Sequence, residues 1–563
     1  MSKFFKVFFI FSLSFSLYLV PIFFSNFLFS DDEDQSSLSI EEVIVTARKK
    51  SENLQSVPVS ITALTASQIE DSFLPDINSL DQLVPNLSMT TSTEGSGSTV
   101  QAFIRGIGEA DFAPYLDPGV GIYVDGVYLA RTMGSNLEFN DIERISVLRG
   151  PQGTLYGRNT IGGAINIVTR EPSGNAPSKI SITTGEYGYI GFSGYSEASL
   201  SESTSASIAV LSKQSDGWQK RDNADNGGNH DLMGARAHLV YVSDDNFKSH
   251  LIFDTTTQDQ QTQPNVLANF DGTQIFPSFY NSFVASMTGS VCCTANEDID
   301  RSSNSNLTKD EVDTFGFSWT NSWDLGSSNF KSITGYRDLE SEQFRDSDNS
   351  PLPFFSVGTQ IEHDQTSQEF LFSGTSNNDS IDWVLGAYYF QEDTFHGTDV
   401  TVGEGIFQSL SALPFSITLF PGGPPLAFLA IPFDLTLRFD RNQKVTSKAV
   451  YAHSIYSMTD KLRLTLAARY TKDEKEMSMY TLKRASQVPI IAPGATDEES
   501  CGDVRMQGKG SIYNCSNSWS EFSPKIGIDY QVNDDVMTYF HVSKGFRSGV
   551  FNARPLAPNE VSS

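Results

Sequence analysis

The chain has 563 residues, with 39 Lys and Arg against 68 Asp and Glu, which gives a formal charge of -29. This length exceeds one ordinary domain, and the acidic balance excludes a protein that binds nucleic acid by neutralising phosphates. A helical membrane protein would contain repeated apolar runs of about 20 residues. The sequence contains one such run, at its start, although Phe and Tyr are abundant, at 41 and 20 residues.

The initial apolar run has the pattern of a secretory signal peptide. Lys3 and Lys6 provide a basic start, Phe8 to Val20 an apolar core, and Pro21 interrupts that core before an acidic cluster. We therefore predict a signal peptide over residues 1–30, with a membrane anchor helix as the alternative. No Ala-x-Ala motif fixes the cleavage point.

A short β-forming run follows within residues 31–56, just before the basic residues Arg48-Lys49-Lys50. No obvious partner strand lies beside it in the sequence, and an unpaired strand can add to the sheet of another protein through its main chain. The alternative is an ordinary first strand of the next domain. The run consists of Glu42, Val43, Ile44, Val45, Thr46 and Ala47.

Residues 57–172 have the pattern of a compact α+β unit. Strand-like alternation over Val59 to Ala63 precedes Thr65 and Gln68, whose spacing predicts a helix N-terminus with a capping box. A second short helix is predicted to begin after Asp76 and to stop at Pro85. Further strands are predicted around Phe103 and Tyr123 and on both sides of a glycine-rich segment.

That glycine-rich segment reads VLRGPQGTLYGRNTIGGAINIVTR, from Val147 to Arg170. A phosphate-binding loop is excluded by spacing, because three residues separate Gly153 from Gly157 and no Lys-Ser or Lys-Thr follows. A surface hairpin is disfavoured by the apolar strands on both sides. Arg149 and Arg158 lie among small residues, so we expect each to pair with a carboxylate.

Three motifs occur in a fixed order: Arg105-Gly106 within AFIRGIG, then Tyr123-Val124-Asp125-Gly126, then the glycine-rich segment. Together they resemble the plug domain of TonB-dependent outer-membrane receptors. The resemblance implies that the run from Glu42 to Ala47 is a TonB box, which pairs with the energising protein TonB. It also implies that Arg105 and Arg149 contact glutamates on the barrel wall, and that the plug structure depends on Gly106, Asp125, Gly126, Gly150, Gly157, Gly162 and Gly163.

Beyond Pro172 the sequence changes to long alternating strands, which predicts an antiparallel transmembrane β-barrel over residues 173–563. In Lys461 to Tyr470, for example, the leucines face one way and the charged residues the other. A soluble sandwich is the alternative, disfavoured by the many polar positions on the second face. Short turns such as Ser243 to Asn246 and Thr459-Asp460 alternate with long predicted loops, at Gln258–Asn306, Phe395–Lys444 and Ser478–Trp519. The loop segment Pro414–Pro432 is itself apolar.

We count about 13 strands between Lys179 and Phe546, against about 22 in the barrels of such receptors. The segment Tyr539–Asn552 resembles a family strand that lies well before the C-terminus, and the sequence ends at Ser563. The interpretation is a truncated receptor with an incomplete barrel. We therefore expect that this chain alone does not insert as a functional transporter, because open strand edges facing hydrocarbon are costly.

The cysteines indicate little about function. Cys501 and Cys515 bracket a polar loop and could form a disulfide in an oxidising compartment, whereas Cys292 and Cys293 are adjacent. No His has ligand spacing near them, so neither a metal nor a cofactor is predicted. No catalytic triad or paired catalytic acids are recognisable, and no enzyme activity is predicted.

The resemblance implies TonB-dependent active transport across the bacterial outer membrane, with the N-terminus in the periplasm. The expected partners are TonB with its inner-membrane complex, outer-membrane lipid and a scarce extracellular ligand. A ferric siderophore is the default ligand by analogy, with cobalamin or an oligosaccharide as alternatives. A passive porin and a receptor that does not transport are the other classes considered.

Overall fold

The structure is a computed structural model, in which an N-terminal α+β unit is followed by one large antiparallel sheet. Among the residues it describes, no helix is long and apolar enough to cross a membrane. The described residues are 44–45, 48–50, 52–72, 77–91, 97–134, 141–221, 225–243, 246–262, 265–267, 271, 273, 278, 281, 298, 300–302, 308–349, 355–376, 379–402, 435–485, 498–500, 511–533 and 536–551.

Some sequence predictions fall outside these residues. The predicted signal peptide and the apolar loop segment Pro414–Pro432 are among them. The others are the predicted helix cap Asp76, the box residues Glu42, Val43, Thr46 and Ala47, and the cysteines Cys292, Cys293 and Cys501.

The N-terminal unit contains short strands around one α-helix, in agreement with the predicted α+β pattern. Its strands are β1 (Ile44–Val45), β2 (Glu52–Asn53), β3 (Ile61–Thr65), β4 (Leu87–Thr91), β5 (Val100–Ile104), β6 (Ile107–Gly108), β7 (Val120–Val124), β8 (Val127–Leu129), β9 (Ile142–Arg149) and β10 (Gly163–Thr169). Helix α1 spans Ala66–Asp71, and 3-10 helices span Leu54–Ser56 and Ile77–Gln82. The main sheet has the order β3-β9-β10-β7-β8, beside the smaller sheets β4-β5-β6 and β1-β2.

The centre of the main sheet is buried on both faces. Strands β9 and β10 pair antiparallel, with Ile165 opposite Val147, and β10 pairs parallel with β7. A strand covered on both faces is a continuous apolar run rather than an alternating one, which fits β7, where Val120 to Val124 are all buried. The core between this sheet and the helical segments includes Leu80, Ile104, Val147, Ile165 and Ile167.

Helix α1 begins as the sequence predicted. The Thr65 hydroxyl accepts a hydrogen bond from the backbone N–H of Gln68, and the Gln68 side chain accepts one from the backbone N–H of Thr65. Two of the N–H groups that have no partner within the helix are thereby satisfied. The helix is short, so its stability depends on this cap and on packing rather than on its length.

We expect Thr65→Ala to destabilise helix α1 by about 1 kcal/mol, because the capping oxygen is lost. Faster hydrogen exchange of the amides of residues 66–71 would measure this change. Thr65→Ser keeps the oxygen and should leave exchange close to that of the parent protein. Equal exchange in Thr65→Ala and the parent would contradict the prediction.

The C-terminal part of the described chain is dominated by long strands. Their bounds are β11 (Lys179–Thr184), β12 (Ile190–Ser201), β13 (Thr204–Ser215), β14 (Lys220–Arg221), β15 (His230–Ser243), β16 (Phe247–Gln260), β17 (Arg301–Ser302), β18 (Lys309–Asp324), β19 (Ser328–Asp346), β20 (Phe355–Thr375), β21 (Ile381–Val402), β22 (Leu435–Ser457), β23 (Leu462–Ala485), β24 (Glu498–Ser500), β25 (Ser511–Asn533) and β26 (Val536–Ser543).

Thirteen of these strands form one antiparallel ladder, as predicted. It runs through β11, β12, β13, β15, β16, β18, β19, β20, β21, β22, β23, β25 and β26. The short β24 joins β25 in parallel, and β14 pairs with β17 separately. Within the described residues, β11 and β26 each pair with one neighbour in this ladder.

The two faces of the ladder differ as the sequence predicted. On β23, Leu466 and Tyr470 are 49% and 50% exposed, whereas the residues immediately before them, Thr465 and Arg469, are buried. An apolar exposed face opposite a polar buried face is the pattern of a strand with lipid outside and polar groups inside. The buried face contacts the N-terminal unit, so the sheet wraps around that unit.

The strands are longer than the alternation predicted. Strand β23 continues to Ala485 instead of ending near Tyr470, and β25 already begins at Ser511, so the predicted loop Ser478–Trp519 is shorter. The predicted loop Phe395–Lys444 is shortened in the same way by β21 and β22. In these extensions both faces carry charged residues, which removes the alternation while the main-chain ladder continues.

The connections at one end of the sheet, which we call the short-turn end, are all short. They join β12 to β13, β15 to β16, β18 to β19, β20 to β21, β22 to β23 and β25 to β26. The opposite end, which we call the long-loop end, carries the longer connections. The N-terminal segment lies at the short-turn end, because Lys50 pairs with Asp382 and Arg463 donates to the Ser56 carbonyl.

The prediction that Tyr539–Asn552 is one strand is wrong in its second half. Strand β26 ends at Ser543, and the chain then turns onto the N-terminal unit. The backbone N–H of Asn159 donates to the Phe546 carbonyl at 3.0 Å, and the N–H of Ser548 donates to the Asn159 side chain at 3.1 Å. These hydrogen bonds replace the ladder bonds that a longer strand would make.

Candidate functional site: the interface between the N-terminal unit and the barrel wall

The glycine-rich segment turns between β9 and β10 and lies against the large antiparallel sheet, which we call the wall. At Gly163, with φ +154°, a Cβ atom would lie 2.2 Å from the Leu148 carbonyl oxygen. At Gly157, with φ +93°, a Cβ atom would lie 2.8 Å from the guanidinium of Arg469 on β23. Both positions therefore require glycine, one for the hairpin and one for the approach of a wall side chain.

The other predicted structural positions also lie in turns of this unit. Gly162 contacts Ile107, and Gly126 faces Ile333 on the wall. Asp125 accepts hydrogen bonds from the backbone N–H and hydroxyl of Thr169, at 2.9 and 2.8 Å, and so ties the β7–β8 turn to the end of β10. Positive φ angles occur at Gly106, Asp125, Gly126 and Gly150.

Aromatic residues connect the unit to the wall below the glycine-rich segment. The ring of Tyr123 lies 5.4 Å from that of Tyr128 and 5.0 Å from that of Tyr156, and Tyr128 in turn lies 6.0 Å from Phe390 on β21. Burial raises the pKa of Tyr123 and raises that of Tyr128 to about 12. These hydroxyls therefore stay protonated and act as neutral hydrogen-bonding groups.

A buried network of six charged side chains crosses the interface near Arg158. Arg131 pairs with Glu392 on β21, and the Lys475 ammonium on β23 lies 2.5 Å from the Asp117 carboxylate. Asp473, also on β23, attracts Arg158. Three cations thus face three carboxylates, and we call this set the buried charge network: Asp117, Arg131, Arg158, Glu392, Asp473 and Lys475.

The network controls the ionisation of its members in the N-terminal unit. Burial alone would raise the pKa of Asp117, but Lys475, Arg158 and Arg131 lower it from 3.8 to about 2. Burial works against the charged form of Arg158 as well, yet Asp473, Asp117 and Glu392 hold its pKa above the usual value. Within the described residues Arg158 makes no ion pair or hydrogen bond to a carboxylate, and its guanidinium lies 4.7 Å from the centroid of the Phe390 ring. The expected pairing of Arg158 with a carboxylate therefore stays a prediction.

A second charged cluster lies where β9 begins. The Asp141 carboxylate accepts from Arg236 at 2.6 Å and lies 3.3 Å from His238, both on β15. His238 in turn lies 3.0 Å from a ring nitrogen of His250 on β16. Burial opposes ionisation of Asp141, but Arg236 and His238 hold its pKa below the ordinary value.

The start of the described chain is held at the short-turn end by three ion pairs. Arg48 binds Glu52 through two hydrogen bonds of 2.8 and 2.6 Å. Lys49 lies 3.0 Å from Glu369 on β20, and Lys50 lies 2.9 Å from Asp382 on β21. Glu369 also accepts a hydrogen bond from the Tyr451 hydroxyl at 2.7 Å, so the first of these wall contacts is itself positioned by a neighbour.

The expectation that the β-forming run has no partner strand is wrong for the two residues of it that are described. Ile44 and Val45 pair antiparallel with Asn53 and Glu52 of the same unit. Val45 is fully buried among residues that include Tyr123 and Tyr451. The reason is that the chain reverses direction near Lys49, which has φ +62°.

At the long-loop end, the loop of residues 109–117 forms the apex of the unit. Tyr115 at this apex lies 5.7 Å from the His396 ring and 5.4 Å from the Arg441 guanidinium. Met477, Met479 and Phe551 complete an apolar cluster around it. Cys515 in this cluster is disulfide-bonded, with its partner outside the described residues.

The predicted contacts of Arg105 and Arg149 with wall glutamates are not made within the described residues, and they stay a prediction. Arg105 is exposed and contacts Ser60 at 3.4 Å, and Arg149 donates to the Pro85 carbonyl at 3.1 Å. Both partners lie in the N-terminal unit, and in the described part of the chain neither arginine pairs with a wall carboxylate. Arg105 has φ +53° in the β5–β6 turn, which directs it across Gly150.

Sequence reasoning missed most of the interface residues. Asp117 and Arg131 lie in irregular segments without a motif, and Lys475 lies where β23 is charged on both faces. The one available signal was Arg158, a charge within a small-residue segment. Among the described residues, no group of three or more His, Cys, Asp or Glu residues is placed to hold a metal ion.

Comparison with known proteins identifies the class. Residues 53–164 match the TonB-dependent Receptor Plug Domain, and residues 243–560 match the TonB dependent receptor-like beta-barrel. The second match covers more than half of the chain. The chain therefore belongs to the TonB-dependent receptor family, a family of receptors and not of enzymes, as predicted. Its N-terminal unit is the plug, and its large sheet is the barrel wall of an outer-membrane protein.

Individual relatives agree with this assignment. The chain is 35% identical over 144 residues to the pesticin receptor of Yersinia pestis, covering 25% of this chain and 20% of that protein. It is 27% identical over 211 residues to the vitamin B12 transporter BtuB of Vibrio cholerae, covering 36% and 33%. The chain thus matches a third or less of the length of these curated relatives.

Solved structures show the same fold over more of the chain. The ferric yersiniabactin uptake receptor FyuA from Yersinia pestis aligns with a TM-score of 0.66 at 17% identity, covering 89% of this chain and 66% of that one. The siderophore receptor PiuA from Acinetobacter baumannii aligns with a TM-score of 0.63 at 15% identity, covering 90% and 66%.

Proposed function

We propose that the protein imports a scarce ligand across the outer membrane in a TonB-dependent reaction. The observation that carries the proposal is a plug held inside the wall by buried ion pairs, with its first strand at the short-turn end. A plug so held blocks free diffusion, so passage of a ligand requires energy that rearranges the plug. TonB is the partner of this family that supplies such energy.

The TonB-binding segment in this proposal is Glu42 to Ala47. Its two described residues form a strand with Glu52–Asn53, and strand addition is a general way to bind an extended segment. TonB would then take the place of the plug's own strand. The periplasmic side would be the short-turn end, and residues 1–30 would be a signal peptide removed before assembly.

The remaining boundaries and contacts follow the same proposal. The plug extends over residues 57–172 and the barrel over residues 173–563. Arg105 and Arg149 would contact wall glutamates outside the described residues, because within those residues their partners are a hydroxyl and a carbonyl of the plug. Outer-membrane lipid would surround the exposed apolar face.

A ferric siderophore is the ligand that we propose. One similar structure is named a siderophore receptor and another a ferric yersiniabactin uptake receptor, which supports this choice, while the vitamin B12 transporters keep cobalamin as the second candidate. The apex around Tyr115 offers aromatic and cationic groups, which suit an aromatic or anionic chelate. An oligosaccharide has no comparable feature in its favour.

Uptake by whole cells tests the function. Cells with the gene would be compared with cells from which it has been deleted at its chromosomal locus. Uptake of labelled ferric siderophores and of labelled cyanocobalamin would be measured with and without TonB and the proton gradient. We expect ferric siderophore uptake that requires both. Uptake that persists without them would indicate a passive porin, and surface binding without uptake would indicate a receptor that does not transport.

A further inference from the structure

A cavity of about 630 Å³ lies under the plug at the short-turn end. Its roof is the turn between β7 and β8, with Asp125 and Gly126, together with Tyr156. Its floor and side are the wall strands β16, β18, β19 and β20 near their short turns. It is therefore bounded by plug on one side and barrel on the other, and it lies between the plug and the predicted periplasm.

The charge of this cavity differs from that of the chain. Its lining contains four lysines, Lys49, Lys50, Lys248 and Lys331, against the three carboxylates Asp125, Glu171 and Asp324. The whole chain carries a formal charge of -29. Hydroxyl and amide side chains make up much of the remaining lining, so the cavity suits a hydrophilic occupant.

Lys331 on β19 is the lining lysine that has no carboxylate partner among the described residues, whereas the other three each form an ion pair. Lys49 pairs with Glu369, Lys50 with Asp382, and Lys248 with Glu171. Lys331 makes no ion pair or hydrogen bond with a residue in the described part of the wall or plug. Its ammonium group is therefore available to a negatively charged group that enters the cavity.

The plug hairpin β7–β8 separates this cavity from a smaller one above it, of about 50 Å³, lined by Arg131, Arg337 and His363 among others. Two contacts close the passage between them. The Gln365 side chain donates to the Tyr128 carbonyl at 2.6 Å and accepts from the Ala130 N–H at 3.0 Å. The Val127 side chain also fills the space that a side chain at Gly335 would occupy.

The hairpin can open without dismantling the plug. Strand β8 is the edge strand of the main plug sheet, so it pairs with β7 alone in that sheet. Moving it away from the wall breaks the two Gln365 hydrogen bonds, the Val127 contact, the ring contact of Tyr128 with Phe390 and the hydrogen bond from the Asn159 side chain to the Tyr128 hydroxyl. The buried ladder of β9, β10 and β7 and the Asp117–Lys475 pair need not change.

We propose that ligand passes between the β7–β8 hairpin and wall strands β18–β20, and that the lysine-lined cavity is its exit site for anionic ferric chelates. This rests on the proposed transport function and adds the route and the charge of the cargo to it. Because most of the plug contacts persist, the movement required of TonB is local.

A reversible disulfide across the closed passage tests the route. Val127→Cys with Gly335→Cys places two thiols at the contact, since a Cβ at Gly335 lies within 2.8 Å of both Val127 methyl carbons. The matched control is Ile161→Cys with Gly545→Cys, which links the plug to the segment after β26, away from the hairpin. Each double variant would be expressed from the chromosomal locus, and uptake would be measured under oxidising and under reducing conditions. Mass spectrometry would verify that the disulfide forms.

We expect oxidation of the first pair to lower TonB-dependent uptake at least tenfold while surface binding is unchanged, and reduction to restore uptake. Oxidation of the control pair should leave uptake near the parent rate. Undiminished uptake in the oxidised first pair would overturn the route, and so would equal inhibition by the control pair. A parent protein that shows no TonB-dependent uptake would overturn the proposed function, and this inference with it.

The charge of the ligand is tested with chelators that iron-starved cells secrete. These chelators would be loaded with labelled iron and separated on an anion exchanger. Uptake of the retained, anionic fraction should fall severalfold in Lys331→Glu, with surface binding unchanged. Lys461→Glu, at an exposed short turn, is the control and should match the parent. Import confined to the unretained fraction or to cyanocobalamin would overturn the anionic assignment, as would parental uptake in Lys331→Glu.

Discussion

Val45→Pro is expected to abolish energised uptake while ligand binding at the cell surface is retained. Proline has no backbone N–H, so a strand that carries it loses a donor in any sheet it joins. In the resting protein Val45 pairs with Glu52, and in the proposed complex the same backbone would pair with TonB. The ligand-binding apex lies at the other end of the barrel and should be unaffected.

The Val45 side chain is also buried, so Val45→Pro could act through lost packing as well as through lost backbone pairing. A second variant separates these two contributions. Val45→Ala removes most of the side chain but keeps the N–H, so uptake should be reduced far less than in Val45→Pro. Surface binding and TonB-dependent uptake of labelled ferric siderophore would be measured in both variants. Uptake in Val45→Pro at the parent rate would show that this segment is not the TonB-binding strand.

The second large effect is expected at the buried charge network. Lys475→Met leaves the Asp117 carboxylate buried without its nearest cation, and breaking a buried pair in this way costs about 3–5 kcal/mol. The free energy of unfolding should fall by that order in urea titrations in detergent followed by tryptophan fluorescence. The double variant Asp117→Asn, Lys475→Met should recover part of the loss, since both charges are then absent.

Lys472 provides the matched control on the same strand. It pairs with Glu474 on the outer face, where both side chains are about half exposed, and exposed pairs contribute little to stability. Lys472→Met should therefore leave the unfolding transition unchanged. If Lys475→Met behaved like Lys472→Met, the network would have no stabilising role.

Acid sensitivity of the plug follows from the same network. The folded pKa of Asp117 is about 2, below its ordinary 3.8, so the unfolded chain binds a proton at higher pH than the folded chain does. The charged Asp117 carboxylate therefore stabilises the folded protein by about 2 kcal/mol above about pH 4, and this stabilisation is lost as the pH falls through about 2. The free energy of unfolding, measured across this pH range, should depend less on pH in Asp117→Asn than in the parent protein. An equal dependence in the two proteins would contradict the lowered pKa of Asp117.

Most of the architecture could be predicted from the sequence because it depends on local patterns. The plug motifs place glycine where the backbone has positive φ or approaches a neighbour, as at Gly157 and Gly163. Such positions can be recognised in the sequence because glycine occupies them. Alternation along β23 predicted which residues face lipid, because a strand places successive side chains on opposite faces. The capping box at Thr65 is likewise a contact between residues three apart.

The interface was decided by tertiary structure alone. Asp117 and Lys475 are 358 residues apart, and Lys49 and Glu369 are 320 apart, so no local pattern connects them. Where β23 is charged on both faces, periodicity does not distinguish Lys475, which faces the plug, from Lys472, which faces outward. The return of Val45 onto Glu52 and the turn of Arg105 toward Ser60 depend on backbone direction at left-handed residues, Lys49 and Arg105 themselves. The sequence thus determined which elements form and which faces are apolar, whereas the pairing of buried charges depended on strand register and on how the wall encloses the plug.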